Sequence, residues 1–360
     1  MNKTSIITTI GPASSNRETL SFFRDNSVTV ARLNFSHGSP ESHLESANLC
    51  RKAGLEIMVD LAGPKILLGE IQQPSTIFRG NRIILELQES NKTYPYTLDN
   101  AEVFPCQFDI HNFVTSGISI YIDDGKIKLL VEKVEGDKVF CKIIAGGLVK
   151  SNKGVNIPEG QIEIDFLVER DRTYLEALIN QIKPEIVALS FVKDSKQIIM
   201  VKEYLQSIIS DNDYFPKICT KLELEKSVNK ENFENVVDQS DMIMIARGDL
   251  ALETEPVHIL VPFYQKYITK YCKDVGVEVI IATQILESMI TSPVPTRAEV
   301  SDLYRAVWID EADYVMCSAE TAIGSYAKEC VELMSNMINE GQNYDDLISS
   351  KIENKISKNV

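Results

Sequence analysis

Eight short apolar runs, rich in β-branched residues, recur along the chain: TSIITTI (4–10), VTVARL (28–33), LEIMVD (55–60), IVALSFV (186–192), KICTKL (217–222), MIMIAR (242–247), VEVIIAT (277–283) and YVMCSAE (314–320). Each has strand length and is nearly continuous in hydrophobicity, the pattern of a strand buried on both faces. Between most of them lie segments with helical spacing of apolar residues, at 39–53, 171–182, 194–209, 257–275 and 297–307. Strand alternating with helix implies parallel pairing through right-handed crossovers. About eight such units close a (β/α)8 barrel. A doubly wound open sheet is the rival that repeat counting leaves open.

The rhythm fails once, between about Gly63 and Pro158. RIILELQ, SIYIDDGKIKLLVEKV and DKVFCKIIAGGL read as β-hairpins punctuated by Asp124-Gly125 and Gly146-Gly147. The fold class expected is therefore α/β, a (β/α)8 TIM barrel with a small all-β domain inserted after the third strand. The divisions are 1–63 and 159–341 for the barrel, 64–158 for the insert and 342–360 for a polar tail. The last helix, near Tyr326–Gly341, aligns Cys330, Val331, Leu333, Met334, Met337 and Ile338 on one stripe; the polar sequence after it predicts no further folded element.

Composition narrows the partners. A net charge of −15 repels nucleic acid and anionic membrane, yet leaves room for a small anionic substrate in a locally basic cleft. No apolar stretch reaches the ~18–20 residues of a membrane span. The N-terminal MNKTSIITTIGPAS lacks the layout of a signal peptide, so a cytoplasmic protein is expected. Seven cysteines (50, 106, 141, 219, 272, 317, 330), without a CxxC, fit reduced buried thiols better than a disulfide frame or zinc site.

In a parallel barrel, substrates bind at the carboxyl ends of the strands, and charged residues fall there in this sequence. The second run continues as ARLNFSHG, so Arg32, Asn34 and Ser36 alternate onto one face. The third ends at Asp60, the fifth delivers Lys221 and Glu223, and the sixth Arg247, Gly248 and Asp249. The seventh ends at Thr283 and Gln284, and the eighth brings Ser318 and Glu320. Glu223 and Asp249 on neighbouring strands would suit Mg²⁺, which takes one or two carboxylates and completes its shell with water and substrate oxygens. Lys221 would point its ammonium at a ligand of that metal.

Each feature alone has a plainer explanation. A Lys-x-Glu is usually a structural ion pair, RGD arises by chance, Asp60 or Ser36-His37-Gly38 can cap a turn, and Ser318 and Thr283 can pack or cap. Together they weigh more, because burying charge inside apolar runs is costly without a ligand or metal.

TIGPASS (9–15), VARLNFSHG (30–38), VDLAGPKI (59–66), IDDGKI (122–127), NKGVNIP (152–158), IARGDL (245–250), IATQILESMITSPVPTRAE (281–299) and SAETA (318–322) together resemble the pyruvate kinases, in that family's order and over most of the chain. The resemblance implies a barrel with a β-barrel lid after its third strand. It also implies a reaction in which phosphoenolpyruvate gives its phosphoryl group to ADP, yielding pyruvate and ATP, with Mg²⁺ or Mn²⁺ as cofactor. Carried over by position, Lys221 stabilises the transferring group and the developing enolate, and Glu223 and Asp249 hold the divalent metal. The amides around Arg247, Gly248 and Asp249 receive the substrate carboxylate, and Thr283 borders the methylene carbon. Ser318 and Glu320 stand near the proton relay, and Arg32 meets the phosphoryl group. Asn34 and His37 lie near the nucleotide phosphates, and Asp123 and Lys153 belong to the lid over the nucleotide. In the family, side chains at Asn34, Ser36 and Asp60 gather K⁺, and K⁺-requiring members usually carry glutamate where this chain has Lys65. That ammonium would replace the ion, so activity without K⁺ is expected.

The chain departs from the family at Leu67, where an arginine usually helps hold the nucleotide, at Ala251, usually glycine, and at Leu224, usually asparagine. It also ends without the regulatory C-terminal domain common in the family, so any homo-oligomer is expected to form through the barrel. There is no Walker-type phosphate loop. Two rivals remain: a Mg²⁺-dependent lyase or aldolase on the same barrel, and a degenerate paralogue that binds phosphoenolpyruvate or nucleotide without turnover.

Overall fold

The structure, a computed structural model, describes residues 4–158, 160 and 164–356. Strands β1 (Ser5–Thr9), β2 (Val28–Asn34) and β3 (Glu56–Asp60) precede the insert. The insert contributes β4 (Ser75–Ile77), β5 (Arg82–Leu87), β6 (Tyr96–Leu98), β7 (Ala101–Cys106), β8 (Ser119–Ile122), β9 (Ile127–Glu135), β10 (Lys138–Ala145), β11 (Gly147–Val149) and β12 (Val155–Asn156). Then follow β13 (Ile186–Leu189), β14 (Lys217–Leu222), β15 (Met242–Ala246), β16 (Glu278–Ala282) and β17 (Tyr314–Cys317). The first three and last five close into one parallel barrel in the order β1-β17-β16-β15-β14-β13-β3-β2. The open-sheet rival is thereby removed.

Continuous hydrophobicity follows from burial on two faces. Ile7, Val30, Met58, Ala188, Cys219, Met244, Ile280 and Met316 fill the barrel interior. Ile6, Ala31, Ile57, Val187, Ile218, Ile243 and Ile281 face the surrounding helices in the larger core. Side chains alternate with period two, so the inward set, continued towards the carboxyl ends, reaches Arg32, Asp60, Ser190, Lys221 and Glu223. The apolar filling stops where the polar mouth starts.

Several runs end earlier as strand than their hydrophobicity suggests. The sixth gives way at Arg247 to a helix, Arg247–Glu253, and β13 ends before Ser190. Helix starts carry the expected chemistry: Ser39 and Thr296 form capping boxes, and Asn16 caps Arg17–Asp25. The last helix does not stop at Gly341 as the change to polar composition suggests. It runs from Ala327 to Ile356, because its charged segment, rich in Lys, Glu and Asp, still contains good helix formers and no proline. The final four residues of the expected tail, 357–360, lie outside the described residues.

The insert is all β. Among the described residues seven of its strands pair in the order β12-β8-β9-β10-β5-β7-β6 without a closing pair, so the insert is a sheet and not the closed β-barrel that the resemblance implies, and β11 pairs separately with β4. Both groups share one core that includes Ile77, Leu85, Phe104, Leu129, Val139 and Val149. The chain leaves β3 through Ala62 and Gly63, whose amides donate to the buried carboxylate of Asp171 at 2.9 and 2.8 Å. Gly63 sits at φ +67°, and a Cβ there would stand 2.8 Å from the carbonyl oxygen of Ser190, so no larger residue fits this exit.

Candidate active site

Lys221 is the centre of a buried charge cluster. Its ammonium donates to Ser190 Oγ at 2.7 Å and lies 3.0 Å from Glu223 and 3.3 Å from Asp60. Asp60 also receives Arg32, Nε and Nη2 both at 2.7 Å, and Arg32 Nη1 donates to Thr9 Oγ1 at 2.8 Å. The register that sets Asn34 opposite Asp60, and Ala188 opposite Asp60, brings these strand ends level. Burial would push Asp60 up, but Lys221 and Arg32 outweigh it and hold its carboxyl below the usual range. Burial likewise opposes the charge on Lys221, and Asp60 and Glu223 more than restore it.

Glu223 is different. Burial raises its pKa against the pull of Lys221, and the nearby charges of Asp249 and Asp60 add to the rise. Its second oxygen accepts from the amide of Phe191 at 2.7 Å. Asp249, on the neighbouring element, faces Lys65, whose ammonium is 3.3 Å from both carboxylate oxygens. Lys65 also lies 5.5 Å from the centroid of the Phe191 ring. Two mutually repelling carboxylates at one mouth are a donor set that fits a divalent cation. Among the described residues no group of three or more His, Cys, Asp or Glu gathers for a metal.

Thr283 and Gln284 adopt left-handed backbone, at φ 68° and 54°, costly for a β-branched residue; Thr283 Oγ1 accepts from the amide of Gly248 at 2.8 Å. Arg247, by contrast, turns its side chain away from Asp249 into a brace: 2.6 Å to Asp302 and 2.7 Å to the carbonyl of Thr283. Glu320 is buried and accepts from the amides of Ser318 at 2.7 Å and Leu286 at 3.4 Å.

Asn34 accepts from the amide of Ser36 at 3.1 Å, while Asp60 is taken up by Arg32, Lys221 and Ser190. Lys65 meets Asp249 and not this group. Half-buried His37 is held below its ordinary pKa by burial and by the charges of Arg170, Arg32 and Lys65, which favours the neutral ring. In the insert, Asp123 and Lys153 pair at 2.8 Å. Leu67 bridges to Gly154, and Leu224 lines a cleft of about 190 Å³ between insert and barrel together with Lys65, Asn156, Phe191 and Glu253. Ala251 is buried inside its helix, where alanine is more favourable than glycine.

Five participants escaped the strand-end rule: Thr9, Ser190, Phe191, Asn156 and Glu253. Ser190 and Phe191 lay inside an apolar run read as strand throughout. Glu253 is one helical turn after Asp249, a relation visible only once RGDLALE is taken as helix. Asn156 sits in a motif of the insert whose contact with the barrel no periodicity announces.

A closed parallel barrel with a buried lysine, paired acids and an arginine at the carboxyl ends of its strands has the architecture of a (β/α)8 enzyme, whose active sites lie at that face. Residues 1–331 match the family model described as pyruvate kinase, barrel domain. The chain is 36% identical over 351 residues to the pyruvate kinase of Thermococcus litoralis, covering 95% of this chain and 70% of that protein. It is 36% identical over 346 residues to that of Chlamydia muridarum (94% and 69%) and 34% over 375 residues to that of Clostridium acetobutylicum (99% and 74%). The chain belongs to the pyruvate kinase family, a family of transferase enzymes. Among the described residues no helix is long and apolar enough to cross a membrane.

Proposed function

We propose that the chain transfers the phosphoryl group of phosphoenolpyruvate to ADP, giving pyruvate and ATP, and does so without K⁺. The observation that carries this is the buried Lys221 ammonium, held by Ser190, Glu223 and Asp60 at the meeting point of the strand ends. Phosphoryl transfer needs positioning and charge neutralisation more than covalent help. Arg32, fixed from two sides by Asp60 and Thr9, presents its guanidinium to the phosphoryl oxygens. Lys221 faces the bridging oxygen on which charge develops as the enolate leaves. The amides of Gly248 and Asp249 receive the carboxylate, the former exchanging its present bond to Thr283 Oγ1. Thr283 borders the carbon that is protonated, with Ser318 and Glu320 behind it as the proton path.

Glu223 and Asp249 would hold Mg²⁺, or Mn²⁺ in its place, which when bound neutralises phosphoryl and carboxylate oxygens. Asn34, neutral His37 and Lys153 line the approach of the nucleotide phosphates, with Asp123 holding Lys153 in the insert. Independence of K⁺ is supported by three ion pairs. Asp60 is already matched by Arg32 and Lys221, and Lys65 adds a fixed positive charge beside Asp249.

The test is a panel of nucleoside diphosphates with phosphoenolpyruvate and Mg²⁺, following pyruvate and triphosphate, with and without K⁺. Equal yields of both products at a rate that K⁺ leaves within about twofold are expected. Pyruvate without nucleotide dependence would mark a lyase, binding without turnover a sensor, and a large gain on adding K⁺ would remove Lys65 from its role.

A further inference from the structure

The insert rests on one face of the short helix Arg247–Glu253. Residues 249, 252 and 253 are spaced i, i+3, i+4 and lie side by side. Each meets the insert. The hairpin tip at Gly125 is packed so closely on Leu252 that a Cβ there would stand 2.6 Å from its Cδ2. Lys65, at the insert's entry, reaches Asp249, its stem lying against Gly154. The third contact is Asn156 on β12, only 5% exposed, whose Nδ2 donates to Asp249 Oδ1 at 3.2 Å and to Glu253 Oε1 at 3.3 Å.

Those two bonds use both hydrogens of one amide nitrogen. Both are donated by Nδ2, so the nitrogen end of the amide faces the two acids. Lys65 meets both oxygens of Asp249 at 3.3 Å and so does not distinguish between them. Asn156 does, because it is short, buried in a strand paired to β8, and addresses one oxygen only. Oδ2 is left turned away from the neutral donor.

We propose that Asn156 is a positioning residue: it holds the Asp249 carboxylate in the orientation that receives the divalent cation, with Glu253 as its second anchor, and so couples seating of the insert to metal affinity. This rests on the assignment of Asp249 as a metal ligand. Coupling of this kind is reciprocal. Metal binding must therefore tighten the insert against the helix.

The experiment uses the full chain without substrates. Mn²⁺ is titrated by the loss of the free-ion electron paramagnetic signal, and amide hydrogen exchange is followed in segments 121–126, 153–157 and 247–253. In the wild type, Mn²⁺ is expected to slow exchange in all three. Asn156→Ala is expected to bind Mn²⁺ at least about tenfold more weakly, the range for loss of a group that orients a metal ligand, and to lose the Mn²⁺-dependent protection. Asn156→Ser, a smaller change, should fall between. Wild-type protein that binds Mn²⁺ without slower exchange overturns the proposal even if neither variant folds; so does a folded Asn156→Ala variant with unchanged Mn²⁺ affinity. Wild-type protein that binds no Mn²⁺ overturns it differently, by removing Asp249 and Glu223 as metal ligands.

Discussion

Ser190 holds the charged cluster together with the least atoms. Its hydroxyl accepts from Lys221 and directs its one hydrogen to the Leu61 carbonyl at 2.7 Å, with Asp60 as the alternative acceptor at 3.2 Å. Removing it leaves the ammonium one buried bond short, a loss of about 1–3 kcal/mol. Ser190→Ala is therefore predicted to lower kcat by about tenfold or more while leaving the KM for nucleotide near wild type. Steady-state kinetics over both substrates checks this; an unchanged kcat would mean that Lys221 needs no such support. At this scale the sequence was legible where a charge interrupted an apolar run, as at Arg32, Asp60, Lys221 and Glu223. It was silent where a small polar residue or a backbone amide did the work, because Ser190 and Phe191 change the hydropathy of IVALSFV too little to stand out.

At the scale of elements, parity along the strands carried most of the information. Period two puts Lys221 and Glu223 on the same side as Cys219, so a barrel filled by Cys219 must open onto those charges. The ends of elements were harder. The strand at 242–247 and the helix after it share an apolar composition, and only the fold decides that Arg247 starts a helix that braces against Asp302.

The insert was legible as hairpins but not in its buried polar contacts. Glu86, 1% exposed on β5, accepts from Tyr94 at 2.8 Å, Tyr96 at 2.9 Å, and Lys92 and Lys138 at 3.0 Å each. Burial pushes its pKa up, but these four donors outweigh it and hold the carboxyl below its usual range. A carboxyl depressed on folding stabilises fully above its unfolded pKa, about 4.3, and that contribution is lost as pH falls through the folded value. Glu86→Gln is predicted to be less stable than wild type at pH 7, with the gap narrowing on acidification below about pH 4.3. Urea denaturation at a series of pH values reads this; a gap independent of pH would show that the charge on Glu86 contributes nothing.

Over the whole molecule the charge is −15, yet at the mouth of the barrel Asp60, Glu223 and Asp249 are met by Arg32, Lys65 and Lys221. These acids and bases face one another in pairs, and a divalent cation would add the positive charge that draws in an anionic substrate. That pairing depends on Lys221 more than on any other group, since it touches Asp60, Glu223 and Ser190. The direct measurement is the rate of pyruvate formation from phosphoenolpyruvate and ADP by Lys221→Met beside wild type, at saturating Mg²⁺ and with folding confirmed by circular dichroism. The account predicts no detectable phosphoryl transfer in the variant; near-normal turnover would contradict it.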